Sequence, residues 1–358
     1  MNSTISLIIS ILIAFALTAG LGFVIIPWLR KLKFGQTILE IGPSWHKSKQ
    51  GTPNMGGLMF IIGIIVSFVV TYALYSQYGV MLLSPDVDGL TAYMHFPITE
   101  GNDTVLIFAG LLLAIGSGVV GFTDDFIKIK LKRNKGLSAK QKTLGQLIMT
   151  FGFILSLWLS HNTRWYIPFI GIVNFEKNIF TAIVFWMISF FIVYGCINSV
   201  NLTDGIDGLC SSVTATVAVA FIIIGFLQNF VSLQIFAGAL LGGVLGFLCW
   251  NWNPAKTFMG DTGSLFLGGI VVALGYLCKC PLILLPIGIV YVCETMSDII
   301  QIGYFKITHG KRIFKMAPIH HHFEMCGWKE KKICAVFSLV NAIGCTVGIL
   351  ILYYGSLR

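Results

Sequence analysis

The sequence predicts an all-α, polytopic membrane protein of about ten transmembrane helices, with both termini outside the cytoplasm and an active site on the cytoplasmic face. Composition is the first observation behind this. Of 358 residues, 56% are hydrophobic and 11% charged, with mean hydropathy +0.84; soluble domains carry about 25% charged residues. The second is the length of the apolar runs, since about 20 apolar residues span a bilayer as a helix. They are continuous, which excludes the alternating strands of a β-barrel. The third is the placement of Lys and Arg, which alternates from one inter-run segment to the next.

The first run, 5–29, has no basic segment before it, exceeds the apolar core of a signal peptide and is followed by Arg30, Lys31 and Lys33. It therefore reads as a retained span. Further runs occupy 55–76, 104–123, 143–161, 178–199, 208–229, 232–250, 264–280, 282–304 and 334–354. The eighth and ninth nearly touch at Pro281, which leaves nine as the alternative count. The whole chain, 1–358, reads as one integral membrane domain.

Of the 24 Lys and Arg, all but Arg164, Lys177, Lys279 and Arg358 follow odd-numbered runs. Basic loops stay in the cytoplasm, so the exits of odd-numbered runs are cytoplasmic. The net charge of +9 then reflects membrane orientation, and nucleic acid is not an expected partner. Most of the nine cysteines lie inside apolar runs, in odd number, which does not suggest a disulfide framework. Gly56-Gly57, Gly242-Gly243 and Gly268-Gly269 suit close helix packing. The outer loops, 77–103 and 162–177, look like ordinary solvated loops.

Five polar segments fall on the cytoplasmic side. Gly121-Phe122-Thr123-Asp124-Asp125-Phe126-Ile127-Lys128 ends the third run. Charges at a membrane boundary are costly unless paired, metal-bound or wet. Two carboxylates with a nearby Lys suit Mg²⁺ and phosphate, although a solvated helix end with an internal ion pair has the same pattern. Asn198–Gly208 follows the fifth run without any Lys or Arg. Its Asn201, Asp204, Gly205, Ile206 and Asp207 form a turn rich in donors and acceptors, suited to a nucleoside or to simple chain reversal.

Asn251–Ser264 follows the seventh run. Its Asp261 enters a helix N-terminus, where phosphate near Gly263 and Ser264 is favoured and where Asp is also a common cap. Phe258 there can stack on a base or anchor at the interface. Met316–Glu324 holds His320, His321 and His322 after Lys306, Lys311, Arg312 and Lys315. Three consecutive side chains point apart, so they fit phosphate donors better than one zinc ion; a basic segment resting on anionic lipid is the alternative. His46–Gly57, which includes Lys49 and Asn54, is a basic, Gly-rich approach to the second run. Together these segments suit phosphoryl-type transfer between a soluble nucleotide and a lipid phosphate.

On GTPNMGG, GFTDDFIK, NLTDGIDGL, FMGDTGSL and MAPIHHHFE, in that order from His46 to about Trp328, the chain resembles the polyprenyl-phosphate N-acetylhexosamine-1-phosphate transferases. APIHHHFE is similar to the phospho-N-acetylmuramoyl-pentapeptide transferase branch. The resemblance implies transfer of phospho-MurNAc-pentapeptide from UDP-MurNAc-pentapeptide to undecaprenyl phosphate, giving lipid I and UMP, with Mg²⁺, in a homodimer of the bacterial inner membrane. It implies Asp261 as Mg²⁺ ligand, with Asp124 and Asp125 as further candidate ligands, and Asp124 as base on the lipid phosphate. Lys128 and Lys140 match basic residues near the phosphates, and His320, His321 and His322 would lie near the pyrophosphate. Lys49, Gly205, Ile206, Asp207, Asn251 and Phe258 match a uridine pocket, with Asn201 and Asp204 beside it. Asn54 stands where the family has Thr, and Asp298, four residues after Glu294, adds a carboxylate to an apolar run. The lipid phosphate attacks directly, or an Asp, with Asp125 the candidate, attacks first. The rivals are the UDP-GlcNAc branch, a transporter with carboxylates on an ion path and a non-catalytic lipid-binding scaffold.

Overall fold

A computed structural model describes residues 2–31, 49, 51–78, 103–131 and 135–357. The segment around His46 and Lys47, most of the loop 77–103, and Lys33, Lys132, Arg133 and Arg358 lie outside the described residues. Long helices follow the apolar runs: α1 (Ser3–Lys31), α2 (Gly57–Tyr78), α3 (Asp103–Lys130), α4 (Ala139–Leu159) and α5 (Ile179–Thr203). The second half holds α6 (Leu209–Leu227), α7 (Val231–Asn251), α8 (Gly260–Leu277), the short α9 (Leu284–Ile287), α10 (Ile289–Ile307), α11 (Ile319–Met325) and α12 (Glu330–Ser356). Nine of the described helices are long and apolar enough to cross a membrane, and the bent pair Pro281–Ile287 and Ile289–Ile307 brings the count to ten.

The bundle is organised around α8. In its most apolar stretch 89% of residues are buried, against 17% in α5 and 22% in α1. Small residues allow this. The α-carbons of Gly110 and Gly269 on either side of the α3–α8 seam face Ala273 and the Ala114 backbone, and Gly268 lies against the Ile197 backbone of α5. Gly57 meets Gly263, and Gly242 meets the Ile11 carbonyl of α1. The three glycine pairs singled out in the sequence therefore do sit at helix contacts. Outward-facing Phe23, Leu112, Leu159 and Phe191 remain exposed, which in a bilayer means facing lipid.

The ninth span is where the structure departs from a simple helix. It bends by 81° at Gly288. A break in hydrocarbon leaves backbone groups without partners, and Asn341 of α12 supplies them. Its Oδ1 accepts from Val290 N at 3.2 Å, and its Nδ2 donates to the Ile287 carbonyl at 3.0 Å.

At the end opposite the polar loops, the segment expected to be a plain solvated loop forms a hairpin of β1 (Arg164–Ile167) and β2 (Gly171–Asn174), paired antiparallel with Trp165 opposite Val173. Trp165 is the reason: its ring packs against Phe175, Phe185 and Tyr276. The ion pair of Lys279 with Asp103, 2.6 Å, lies at this same end.

Candidate active site

At the other end, the last turns of α3 and α5, the first turns of α8 and α12, and the turn between α5 and α6 converge. Asp124, Asp125 and Lys128 occupy one to two turns of α3. Residues four apart share a helix face, so Lys128 reaches back to Asp124 Oδ2 at 2.5 Å. The same ammonium lies 3.4 Å from Asp125 Oδ1 and 3.0 Å from Asp261 Oδ2.

Asp125 ties α3 to α8. Its Oδ2 accepts from the N–H and hydroxyl of Thr262, at 2.9 and 2.8 Å, so it takes one of the unpaired donors at the start of α8. Its Oδ1 accepts from Asn54 Nδ2 at 3.2 Å. Asp124 Oδ1 accepts from Leu137 N at 2.7 Å, which fixes the segment leading into α4. Asp261 is therefore not the cap of α8. It opens onto the cleft, with Oδ1 accepting from Asn201 Nδ2 at 2.9 Å and Oδ2 facing both Lys128 and Lys142 at 3.0 Å. The N–H of Gly263 already donates to the Met259 carbonyl, and Ser264 Oγ accepts from Asn201. The α8 terminus is thus less open to phosphate than the sequence implied.

Exposure separates the three acids. Asp124 and Asp125 are 4% and 1% exposed, whereas the Asp261 side chain keeps 18%. One oxygen from each lies within 4.8 Å of the others. These carboxylates face two ammonium groups, which leaves one negative charge uncompensated. An all-oxygen donor set with residual negative charge fits a hard divalent cation.

A second network lies beside the first. Lys49 Nζ sits 2.7 Å from Asp207 Oδ1 and 2.7 Å from a Glu330 carboxylate oxygen. Burial alone would lower its pKa, but the hydrogen bonds to Asp207 and Glu330 outweigh that and raise it. Asp207 Oδ2 accepts from Ala255 N at 2.9 Å and Asn253 Nδ2 at 3.2 Å. Asn251 Oδ1 accepts from Gly208 N at 3.0 Å, and its Nδ2 donates to the Thr257 carbonyl at 2.9 Å. Asn251 thus holds the turn and does not line the cleft.

The two networks are the walls of one cavity of about 220 Å³. Lys49, Asn54, Asp125, Lys128, Asn201, Asp204, Gly205, Ile206, Asp207, Phe258 and Asp261 line it, together with Gly260. Most residues singled out in the sequence are brought together here; Asp124 lies just behind, bonded to Lys128.

The three His do not converge on one ligand: the His320 and His321 rings lie 4.1 Å apart, yet each turns Nδ1 to a different acid. His320 is buried, with Nδ1 2.9 Å from Glu294 Oε2. His321 Nδ1 lies 2.6 Å from Glu324 Oε2. His322 Nδ1 accepts from Lys315 N at 3.1 Å. None lines the cavity, and no shared metal site forms among them. Lys140 is exposed on α4, and Lys142 occupies the place expected of it. Two residues along a helix turn the side chain by about 200°, so only one of the two can face the carboxylates. A signal was present: Lys142, Gln146 and Thr150 form a polar stripe at four-residue spacing, and Gln146 and Thr150 are buried. Glu330 and Asn253 were not singled out in the sequence either. Lys142→Ala is expected to lower turnover about tenfold or more by removing one of two charges at Asp261, whereas Lys140→Ala should stay within about twofold; steady-state kinetics of the two variants reads this.

Asp204 has a different character. Burial, then the carboxylates of Asp261, Asp125 and Asp207, push its carboxyl up to about 8. The folded protein therefore holds a proton that the unfolded chain releases near pH 4, and stability falls as pH rises from about 4 to about 8. Asp204→Asn should flatten that window, compared by thermal unfolding near about pH 6 and about pH 9.

Next to the cleft runs an apolar groove of about 300 Å³ between α5, α8 and the bent α9–α10 pair, lined by Phe191, Ile192, Val271, Leu285 and Met296 among others. Ser199, at its inner end, is two residues from Asn201 of the cleft.

The profile of glycosyl transferase family 4 matches residues 107–279. The chain is 43% identical to the phospho-N-acetylmuramoyl-pentapeptide-transferase of Carboxydothermus hydrogenoformans, over 93% of this chain and 95% of that protein. It is 42% identical to that of Clostridium perfringens, over 95% and 97%, and 41% identical to that of Halalkalibacterium halodurans, over 94% of each. With identity of this level across nearly the full length of each relative, the chain belongs to the phospho-N-acetylmuramoyl-pentapeptide-transferase family.

Proposed function

We propose that the cleft transfers phospho-MurNAc-pentapeptide from UDP-MurNAc-pentapeptide to undecaprenyl phosphate, with release of UMP. The observation that carries this reading is the joining of an acidic, Lys-bridged centre to a polar nucleoside-sized pocket, beside an apolar groove. A soluble nucleotide and a lipid phosphate both need to reach one point, and Asp261 is that point. The end bearing the Lys- and Arg-rich loops faces the cytoplasm of a bacterial inner membrane in this reading, with the chain acting as one membrane domain and pairing as the homodimer that the family resemblance implies.

The residues divide the work. Lys49, Asp207, Gly205, Ile206 and Phe258 hold the uridine, with Phe258 offering a ring face and the Asp207 carboxylate fixed by Lys49, Ala255 N and Asn253. Lys128 and Lys142 draw the pyrophosphate toward Asp261. Asp261, with Asp124 and Asp125 beside it, would hold Mg²⁺; when bound, the ion offsets charge on the phosphates as the bond between them breaks. An acceptor phosphate oxygen attacks the sugar-bearing phosphorus, and the bond to the UMP phosphate oxygen breaks. The acceptor is already mostly ionised at pH 7, so Asp124 need not remove a proton. Direct attack is favoured because Asp125 accepts from Thr262 twice and from Asn54, and is nearly fully buried. Its Oδ2 is taken by Thr262, and its Oδ1, beside Asn54 and Lys128, is the oxygen left to a cation, so neither is well placed as nucleophile.

Purified protein with undecaprenyl phosphate should release UMP from UDP-MurNAc-pentapeptide in Mg²⁺ and not in EDTA. Release from UDP-GlcNAc instead would move the chain to the sister specificity. No release from either donor by folded protein would leave a transporter or a lipid-binding scaffold as the reading to pursue.

A further inference from the structure

Among the described residues, two buried polar atoms outside the cleft have no hydrogen-bond partner yet lie in one side-chain pair: Glu294 Oε1 and His320 Nε2. Glu294 is 0% exposed and sits on α10, next in sequence to Thr295 of the apolar groove; His320 is likewise 0% exposed and opens α11. A carboxylate only accepts, so the imidazole carries its proton on Nδ1 and donates it across 2.9 Å to Glu294 Oε2. The backbone N–H of His320 points to the same oxygen at 3.4 Å. Both the ring's position and its tautomer are therefore set by one acid from another helix.

The free edge of the ring meets Gly205. A Cβ on Gly205 would coincide with His320 Nε2 and its neighbouring ring carbons. Gly205 is not among the glycines with positive φ, so backbone freedom does not explain the glycine there; the imidazole beneath it does. Gly205 is also a wall of the cleft, between Asp204 and Ile206. The imidazole thus lies under the floor of the nucleotide pocket, against the Gly205 turn.

We propose that Glu294 is a positioning residue for the nucleotide donor: by holding His320 under Gly205 it sets the height of the turn from Asp204 to Asp207, and so donor binding, without touching substrate. This rests on the functional reading above in that the donor is taken to be a uridine nucleotide. A buried acid kept with one oxygen unpaired is poorly explained as plain packing, since an apolar pair of the same shape would fill the space with no unpaired atoms. The geometry also separates this role from chemistry, because the acidic centre is reached through Asn201 and Lys142, neither of which bonds to His320.

The test uses full-length protein in lipid nanodiscs. Glu294→Leu keeps size and loses the acceptor; Glu294→Gln keeps an acceptor oxygen for the Nδ1 proton. Donor KM, acceptor KM and kcat are measured for each, together with calorimetric binding of UMP, which reports on the nucleotide pocket even where turnover is absent. Glu294→Leu is expected to weaken donor KM and UMP binding about tenfold or more, with kcat and acceptor KM within about threefold, and Glu294→Gln to recover most of the loss. A loss confined to kcat, an unchanged UMP affinity in Glu294→Leu, or a Gln variant as impaired as Leu overturns the proposal. Failure of the wild type to release UMP while still binding it would instead count against the transferase reading and leave this inference standing on the binding data.

Discussion

Asp261→Asn should lower turnover by about 10³-fold with little change in the donor's KM, on the scale of losing one preorganised charge contact in an active site. Asp261 is the only one of the three clustered acids with an appreciably exposed side chain, and both Lys128 and Lys142 point at its Oδ2. An amide keeps the shape and the contact to Asn201 but removes the charge. If its nitrogen faces the two ammonium groups, it also opposes them with another donor. The ground-state contacts to uridine lie in the other network, around Lys49 and Asp207, so binding should survive. The fold should survive too, because Asp125 and not Asp261 caps α8. UMP release and a thermal unfolding profile, measured on the same preparation, separate lost chemistry from lost structure; an Asn variant within about tenfold of wild type would remove Asp261 from the centre of the account.

The second large effect is structural. Gly121 of α3 faces the backbone of Asp261 and Thr262, and any Cβ there would overlap the Asp261 carbonyl. This contact holds Asp124 and Asp125 against the start of α8. Backbone cannot move aside as the tip of a flexible side chain can, so Gly121→Val should cost about 3 kcal/mol or prevent assembly of the site altogether. Gly152 of α4 makes the control: nothing lies near its α-carbon, and Gly152→Ala should be neutral or stabilising by about 0.5–1 kcal/mol. Detergent-solubilised yield and thermal midpoints of both variants read the contrast. Equal behaviour of the two would mean that α3 and α8 do not approach as described.

How much of this could be read beforehand differs by element. The long helices were legible because hydrocarbon demands continuous apolar sequence, and the helices at 57–78 and 231–251 start and stop within a few residues of the runs. The bend at Gly288 was not, because Pro286 and Gly288 lie within an unbroken apolar stretch and the residue that satisfies the break, Asn341, is fifty residues away in another span. Most of the cleft was legible because polar residues at a membrane boundary stand out against their surroundings. What failed was the choice of face. Lys140 and Lys142 are equivalent in composition, and only the packing of α4 against its neighbours decides which one meets Asp261. The His cluster was placed at the pyrophosphate by its resemblance and its basic setting, whereas the structure buries His320 under Gly205, an arrangement set by Glu294 from a different span. Glu330 escaped notice because an acid at the first turn of a helix is ordinary; its pairing with Lys49 appears only when α12 docks.

The central claim is that one phosphate, and not the bare sugar, moves to the lipid at the Asp261 centre. The direct measurement uses UDP-MurNAc-pentapeptide labelled at the phosphorus next to the sugar, with undecaprenyl phosphate and purified protein. The account predicts label in the lipid product and unlabelled UMP in equal amount, dependent on Mg²⁺ and lost in Asp261→Asn. Label left on a soluble nucleotide diphosphate, or label transfer undiminished in Asp261→Asn, would contradict it.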